Sequence, residues 1–196
     1  MNQIISKYMR NFRFLLLTFV TGIFYFCFYL VGITFGIGMA FTLVGLPILH
    51  YVLRSTRTFV QYERTQTKVY TDISIAMVSS RRGEGSLWEQ VRAELSDVRN
   101  WRTIFWLMLK FVIGIASILC AVLFYVAPLM FMLTPFLYSF IDVTIMGMTI
   151  QTLKEALLIM LVGVILMGVG HYLGNGLVKM IGGYTRCMAK GLTDKV

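Results

Sequence analysis

Few residues in this chain have the types and spacing that chemistry requires. The two histidines, His50 and His171, both fall near the cytoplasmic ends of apolar runs, a placement that lets them meet to hold a metal or titrate together. Two imidazoles with no acidic or thiol ligand nearby in sequence make a poor metal site, so satisfied histidines at the membrane interface are the simpler reading. Cys27, Cys120 and Cys187 show no metal or redox spacing and read as small hydrophobes. Asp142 and Lys154, with Glu155, are rare charges on an otherwise apolar outer face, where a polar group is costly unless paired or solvated. Asp142 and Lys154 are expected to border a ligand-binding site for an amphiphile, with apolar contact from Phe131, Phe136, Tyr138 and Phe140. The alternative is that they only solvate a loop. Lys110 either snorkels to the headgroups or is a buried cation paired within the bundle, and snorkelling is the simpler reading. No glycine-rich phosphate loop follows a strand. No nucleophile with a base, carboxylate pair or metal cluster stands out, so the expectation is a protein that is not an enzyme and has no cofactor and no metal.

The elements that must position these residues are apolar. Hydrophobic residues make up 58% of the 196 and charged ones 14%, outside the usual range of soluble domains. The net charge of +9 comes without a zinc-ligand set or an RNA-binding signature, which argues against nucleic acid and for anionic lipid. Met1–Arg13 reads as an amphipathic lead-in on the inner surface, with Lys7 and Arg10 opposite Ile4, Ile5, Tyr8, Met9 and Phe12. Phe14 to Leu53 carries no charge, about twice the roughly 20 residues one crossing needs. A hairpin is therefore expected, with crossings at 14–31 and 36–53, an outer turn near Gly32–Gly38, and a kink at Gly45-Leu46-Pro47.

Arg54 to Arg102 holds nine Lys and Arg against six Asp and Glu and is expected to form a cytoplasmic layer. Phe59, Tyr62, Val69, Ile73 and Met77 suit an amphipathic helix continuing out of the membrane. A loop at 79–85 precedes a capping box, Ser86-Leu87-Trp88-Glu89. The helix it opens carries Trp88, Val91, Leu95 and Val98 on the stripe expected to pack on the membrane or the partner helix. A third crossing is expected at 104–126. The segment 127–153 contains Pro128 and Pro135 and reads as an outer cap. A fourth, glycine-rich crossing at 156–178 leads to a basic cytoplasmic tail.

Several short motifs occur together: Gly45-Leu46-Pro47 with Glu63-Arg64, Trp88, Asn100-Trp101-Arg102, Leu109-Lys110-Phe111 with Gly114, and Thr152-Leu153-Lys154-Glu155-Ala156 with Gly163. From about Phe14 to Leu192 the chain resembles the bacterial putative sensor domain often found at the N-terminus of sensor histidine kinases. The resemblance implies a four-helix membrane unit that presents itself to an extracytoplasmic or membrane-borne signal and passes the result to a kinase. Val98 and Val112 stand where many relatives have proline, and no phosphoacceptor helix or ATP-binding domain follows the last crossing. The expected output is therefore through a separate protein.

The reading is an all-α, polytopic membrane protein of one domain, with four transmembrane helices, both termini cytoplasmic, and a cytoplasmic amphipathic helical layer at 54–102. Its expected role is a sensor or regulatory subunit; the alternative is an accessory or permease subunit of a transporter. Arg54, Arg57, Glu63, Arg64, Trp88 and Trp101 are assigned to partner coupling. The expected partners are a bilayer with anionic lipid, a separate histidine kinase, transporter or regulator, and a second copy of the chain, with no nucleic acid. The expected location is the cell membrane of a bacterium.

Overall fold

The computed structural model describes residues 2–39, 42, 44–71, 87–137, 144–145, 148–149 and 152–193. It is built from helices: α1 (Asn2–Gly38), α2 (Gly45–Thr71), α3 (Leu87–Ser96), α4 (Val98–Ala121), a π-helical turn (Val122–Val126), α5 (Ala127–Leu137) and α6 (Leu153–Thr193). Between α5 and α6, Thr144–Ile145 (β1) pairs antiparallel with Met148–Thr149 (β2). Among the described residues, three stretches are long and apolar enough to cross a membrane: Ser6–Gly38, Val98–Leu137 and Leu153–Ala189.

Several boundaries differ from those expected. The lead-in does not break at Arg13, because α1 runs without interruption to Gly38. The chain therefore turns after Gly38 rather than at Gly32–Gly38. Gly32 and Gly36 lie inside α1, where a side chain would run into Val52 and Leu49. Pro47 does not kink a crossing, since it falls in the first turn of α2, where its missing donor has no intrahelical partner to lose. The segment 127–153 begins as helix, extending the third apolar stretch to Leu137.

The chain forms two compact units. One comprises Met1–Leu16 and Ala116–Val178, the other Leu17–Ile115 and Lys179–Val196. In the first, Pro128 cannot donate the bond that Phe124 O would receive in an α-helix. The backbone widens there into the π turn, with Ala127 N–H bonded to Val122 O. The Tyr8 hydroxyl donates to Phe124 O at 2.9 Å. Gly163 and Gly170 of α6 admit the Pro128 and Phe124 backbone, since a Cβ on either would come within 3.1 Å of those carbonyl oxygens. Thr152 and Glu155 form a capping box at the start of α6, each bonding the other's backbone amide.

In the second unit α2 runs antiparallel to α1. Tyr29 meets Thr56 and Tyr25 meets Glu63, so partner numbers rise along one helix as they fall along the other. The core comprises Tyr25, Tyr29, Leu49, Val52, Leu53, Val60, Ile104, Leu107, Met188 and Ala189. Phe24, Phe28 and Phe59 surround the two tyrosines with ring centroids 5.0–6.0 Å apart. The buried face of α2 is Leu49, Val52, Leu53, Thr56, Val60, Glu63, Gln66 and Thr67. The expected stripe through Tyr62 and Val69 faces outward instead, and Ile73 and Met77 lie outside the described residues. Gly22 and Gly114 let α1 and α4 touch: a Cβ on Gly22 would lie 2.7 Å from Lys110 O, and one on Gly114 3.0 Å from Phe19 Cα. Gly22→Leu is expected to lower stability by about 1–3 kcal/mol through overpacking against backbone that cannot yield. Gly183→Ala, which meets open space, is expected to change it little. Thermal unfolding of the detergent-solubilised protein compares them.

Candidate functional site

The most unusual chemistry in the second unit is a buried ion pair. Glu63 of α2 and Lys110 of α4 form a salt bridge through Oε2 and Nζ, with side chains only 2% exposed on both sides. The second carboxylate oxygen, Oε1, accepts the Tyr25 hydroxyl of α1 at 2.9 Å. The Lys110 ammonium also lies 5.7 Å from the centroid of the Tyr25 ring, within cation–π range. One carboxylate thus joins three helices.

Each element places its residue for a local reason. Glu63 falls on the buried face of α2 because it continues the spacing Thr56, Val60, Glu63, Thr67. Lys110 is brought against α1 where Gly22 accepts its backbone. Tyr25 and Tyr29 stand one turn apart on α1, and Tyr29 donates to Thr56 Oγ1 at 3.1 Å. Nearby, Tyr184 of α6 donates to Trp106 O at 2.6 Å and packs edge-on against the Trp106 ring.

A second polar contact joins α2 to α3. His50 Nδ1 lies 3.3 Å from Glu94 Oε2. Burial raises the Glu94 pKa above its usual value, and the neighbouring His50, Arg57 and Arg54 side chains only partly offset this. The α3–α4 corner is fixed by Asp97, whose carboxylate accepts Arg99 N–H at 3.0 Å as an N-cap. It is also held by Trp101, whose indole N–H donates to Leu95 O at 2.8 Å. The Trp88 and Val98 side chains are largely exposed, so the expected stripe does not pack on α2, and Val91 lies outside the described side chains. α3 instead turns Glu94 toward His50 of α2.

The sequence-predicted residues fall as follows. Arg54 is exposed and Arg57 and Arg64 are half-buried. Trp101 is partly exposed and bonded within its own corner. Glu63 is not a surface coupling residue, because the buried stripe of α2 carries it inward to Lys110. For the same reason Lys110 is a paired interior cation rather than a snorkelling one. Lys154 and Phe136 are exposed, while Asp142 and Tyr138 lie outside the described residues. The histidines have different partners: His50 faces Glu94, whereas His171 Nε2 lies 3.3 Å from Asn175 Nδ2 and its ring stacks beside Tyr8. Among the described residues no three His, Cys, Asp or Glu side chains group as metal ligands. Tyr25 was missed. Its signal is faint: Glu63 is the first acid in the chain, and Lys110 is the one cation between Arg102 and Lys154.

A family model with the description Putative sensor matches residues 14–188, which include Tyr25, Glu63 and Lys110. The chain belongs to the Putative sensor family. No curated protein and no solved structure matches it. The family and the three apolar helices together make this a membrane protein. In this Putative sensor protein the family-like motifs sit at structural joints: Gly45-Leu46-Pro47 opens α2, Asn100-Trp101-Arg102 follows the cap of α4, and Thr152 to Glu155 caps α6.

Removing one partner of a buried pair leaves an uncompensated charge, whereas replacing both with apolar groups costs little. Lys110→Met is therefore expected to destabilise by about 3–5 kcal/mol, and Glu63→Met with Lys110→Met by much less. Thermal unfolding of the single and double variants checks this, and additive losses would dissolve the pair. The pH dependence has a defined sign. A carboxyl whose pKa is raised on folding binds more protons in the native state, so its contribution is lost as pH rises from about 4.5 through the raised value. Glu94→Gln should flatten that part of the stability profile.

Proposed function

We propose that the protein is a multi-pass membrane sensor or regulatory subunit that detects an extracytoplasmic or membrane-borne signal and passes it to a separate partner through α2. The observation that carries this reading is the contact of Glu63 with Lys110 and Tyr25. It ties α2 to two helices long and apolar enough to cross a membrane, while Arg54 stands exposed on the other side of the same helix. A signal that moves α1 against α4 acts on Glu63 and through it on the cationic face of α2. A population shift between two helix arrangements suffices, provided the signal binds one of them better. The coupling required is about 1–3 kcal/mol, less than the cost of breaking the pair, so the pair moves as a unit. The partner is a separate kinase or another regulator, and the protein itself is not an enzyme. The outer amphiphile site at Asp142, Lys154, Phe136 and Tyr138 is part of this proposal as the place where the signal enters.

The reading uses three crossings, α1, α4 with α5, and α6, instead of four. From Gly45 only nine uncharged residues precede Arg54, too few to cross a core that needs roughly 20. An odd count places the termini on opposite sides. Thirteen of the eighteen Lys and Arg, nine in 54–102 and four from Lys179 onward, then share the cytoplasmic side with the C-terminus. Topology reporters at the two ends should read outside for the N-terminus and cytoplasmic for the C-terminus; both cytoplasmic would restore four crossings. Arg54→Glu with Arg57→Glu should reduce co-purification of the partner in mild detergent while leaving membrane insertion intact. Unchanged co-purification would remove α2 as the output.

A further inference from the structure

Three side chains of the first unit form a run of hydrogen bonds that the coupling reading does not use. Asn11 of α1 donates from Nδ2 to Asn175 Oδ1 of α6 at 2.6 Å. With that oxygen occupied, Asn175 turns its Nδ2 toward His171 Nε2, 3.3 Å away. Nε2 therefore accepts, and a neutral imidazole that accepts there carries its proton on Nδ1. His171 Nδ1 is buried and has no hydrogen-bond partner. At the other end stands the buried Tyr125 hydroxyl, for which Gly174 of α6 leaves room. Asn11 offers it a donor, yet the hydroxyl completes no hydrogen bond.

His171 lies within Leu153–Ala189, one of the stretches long and apolar enough to cross a membrane. An ionisable side chain there is costly and marks a functional site by default. The run has two possible directions, because an amide presents a donor on one side and an acceptor on the other. As it stands, donors point from Asn11 toward His171, and the Tyr125 O–H meets a donor instead of an acceptor. In the opposite direction His171 Nε2–H donates to Asn175 Oδ1 and Asn175 Nδ2 donates to Asn11 Oδ1. That oxygen then takes the place of the amide nitrogen beside Tyr125, whose hydroxyl can donate to it. The change needs only two amide rotations. A proton on Nε2 forbids the first direction, since two donors would face each other.

We propose that His171 is a proton-binding site, and that its protonation reverses the Asn11–Asn175 run and ties Tyr125 of the π turn to α1. Tyr8 of α1 faces the imidazole, with ring centroids 6.5 Å apart and the planes nearly parallel. Its hydroxyl is taken by Phe124 O, so it supplies no partner to Nδ1. Tyr125 of the π turn packs on Tyr8 at 4.3 Å and reaches His171 through Asn11 and Asn175. Phenols stay protonated throughout the range in which imidazole titrates, so His171 is the member that changes charge. No ion pair among the described residues includes His171. The proton is therefore favoured by the hydrogen bond gained at Tyr125 rather than by a carboxylate. Every member of the run belongs to the first unit, and the site does not depend on the protein being a sensor.

The test is nitrogen-15 NMR of the full chain in nanodiscs, with labelled histidine, titrated from about pH 8 to about pH 5. Ring-nitrogen shifts distinguish the two neutral tautomers from the imidazolium, and either His171→Phe or His50→Gln assigns the two histidines. His171 is expected to be neutral with its proton on Nδ1 at the start and an imidazolium at the end. Tyr125→Phe keeps the ring but removes the bond gained on reversal, so it should lower the His171 midpoint by about half a pH unit or more. A purely structural run would hold the helices together without titrating. A His171 that stays neutral to about pH 5, or that stays charged up to about pH 8, would overturn the proposal. So would a neutral form with its proton on Nε2, or a midpoint that Tyr125→Phe leaves unchanged. All but the last are read on unaltered Tyr125 and stand whether or not that variant folds.

Discussion

A carboxylate and an ammonium buried together cannot separate without leaving charge in a medium that does not solvate it. Glu63 and Lys110 are held to that condition, and Tyr25 takes the remaining carboxylate oxygen. The constraint reaches three helices, because each supplies one member. It fixes the rotation of α2, since only the face carrying Thr56, Val60, Glu63 and Thr67 can turn inward, and it thereby decides that Arg54 turns outward. Leu49, Val52, Leu53 and Val60 lie on that same face of α2 in the core, so the apolar stripe and the charge favour one orientation.

The backbone meets a second kind of constraint at close approach. Lys110 reaches Tyr25 because Gly22 presents no side chain to the Lys110 carbonyl. In the other unit the missing amide of Pro128 accompanies a widened turn, and Tyr8 supplies the donor for Phe124 O. In both places a residue that lacks something, a Cβ or an N–H, determines where a functional side chain stands.

Much of this was legible beforehand. The apolar runs announced the spanning helices, and short motifs pointed to the family that residues 14–188 match. The helix boundaries were less so. Charge alone ended a crossing at Leu53, whereas α2 runs from Gly45 through that boundary, so its true stripe from Leu49 to Thr67 was cut in two. Glu63 then looked like one acid in a basic surface run. Pairing between residues 47 positions apart leaves no local signal, and neither does the contact of His50 with Glu94. Prolines 128 and 135 suggested a cap because proline ends most helices; a π turn and a tyrosine hydroxyl make the exception at the first.

The central claim is that Glu63 locks α2 to α1 and α4. Hydrogen exchange over residues 45–71, compared between the unaltered protein and Lys110→Met in nanodiscs, tests it most directly. The account predicts faster exchange throughout α2 in the variant, with restoration when Glu63→Met is added. Exchange in α2 that is the same with and without Lys110 would contradict it.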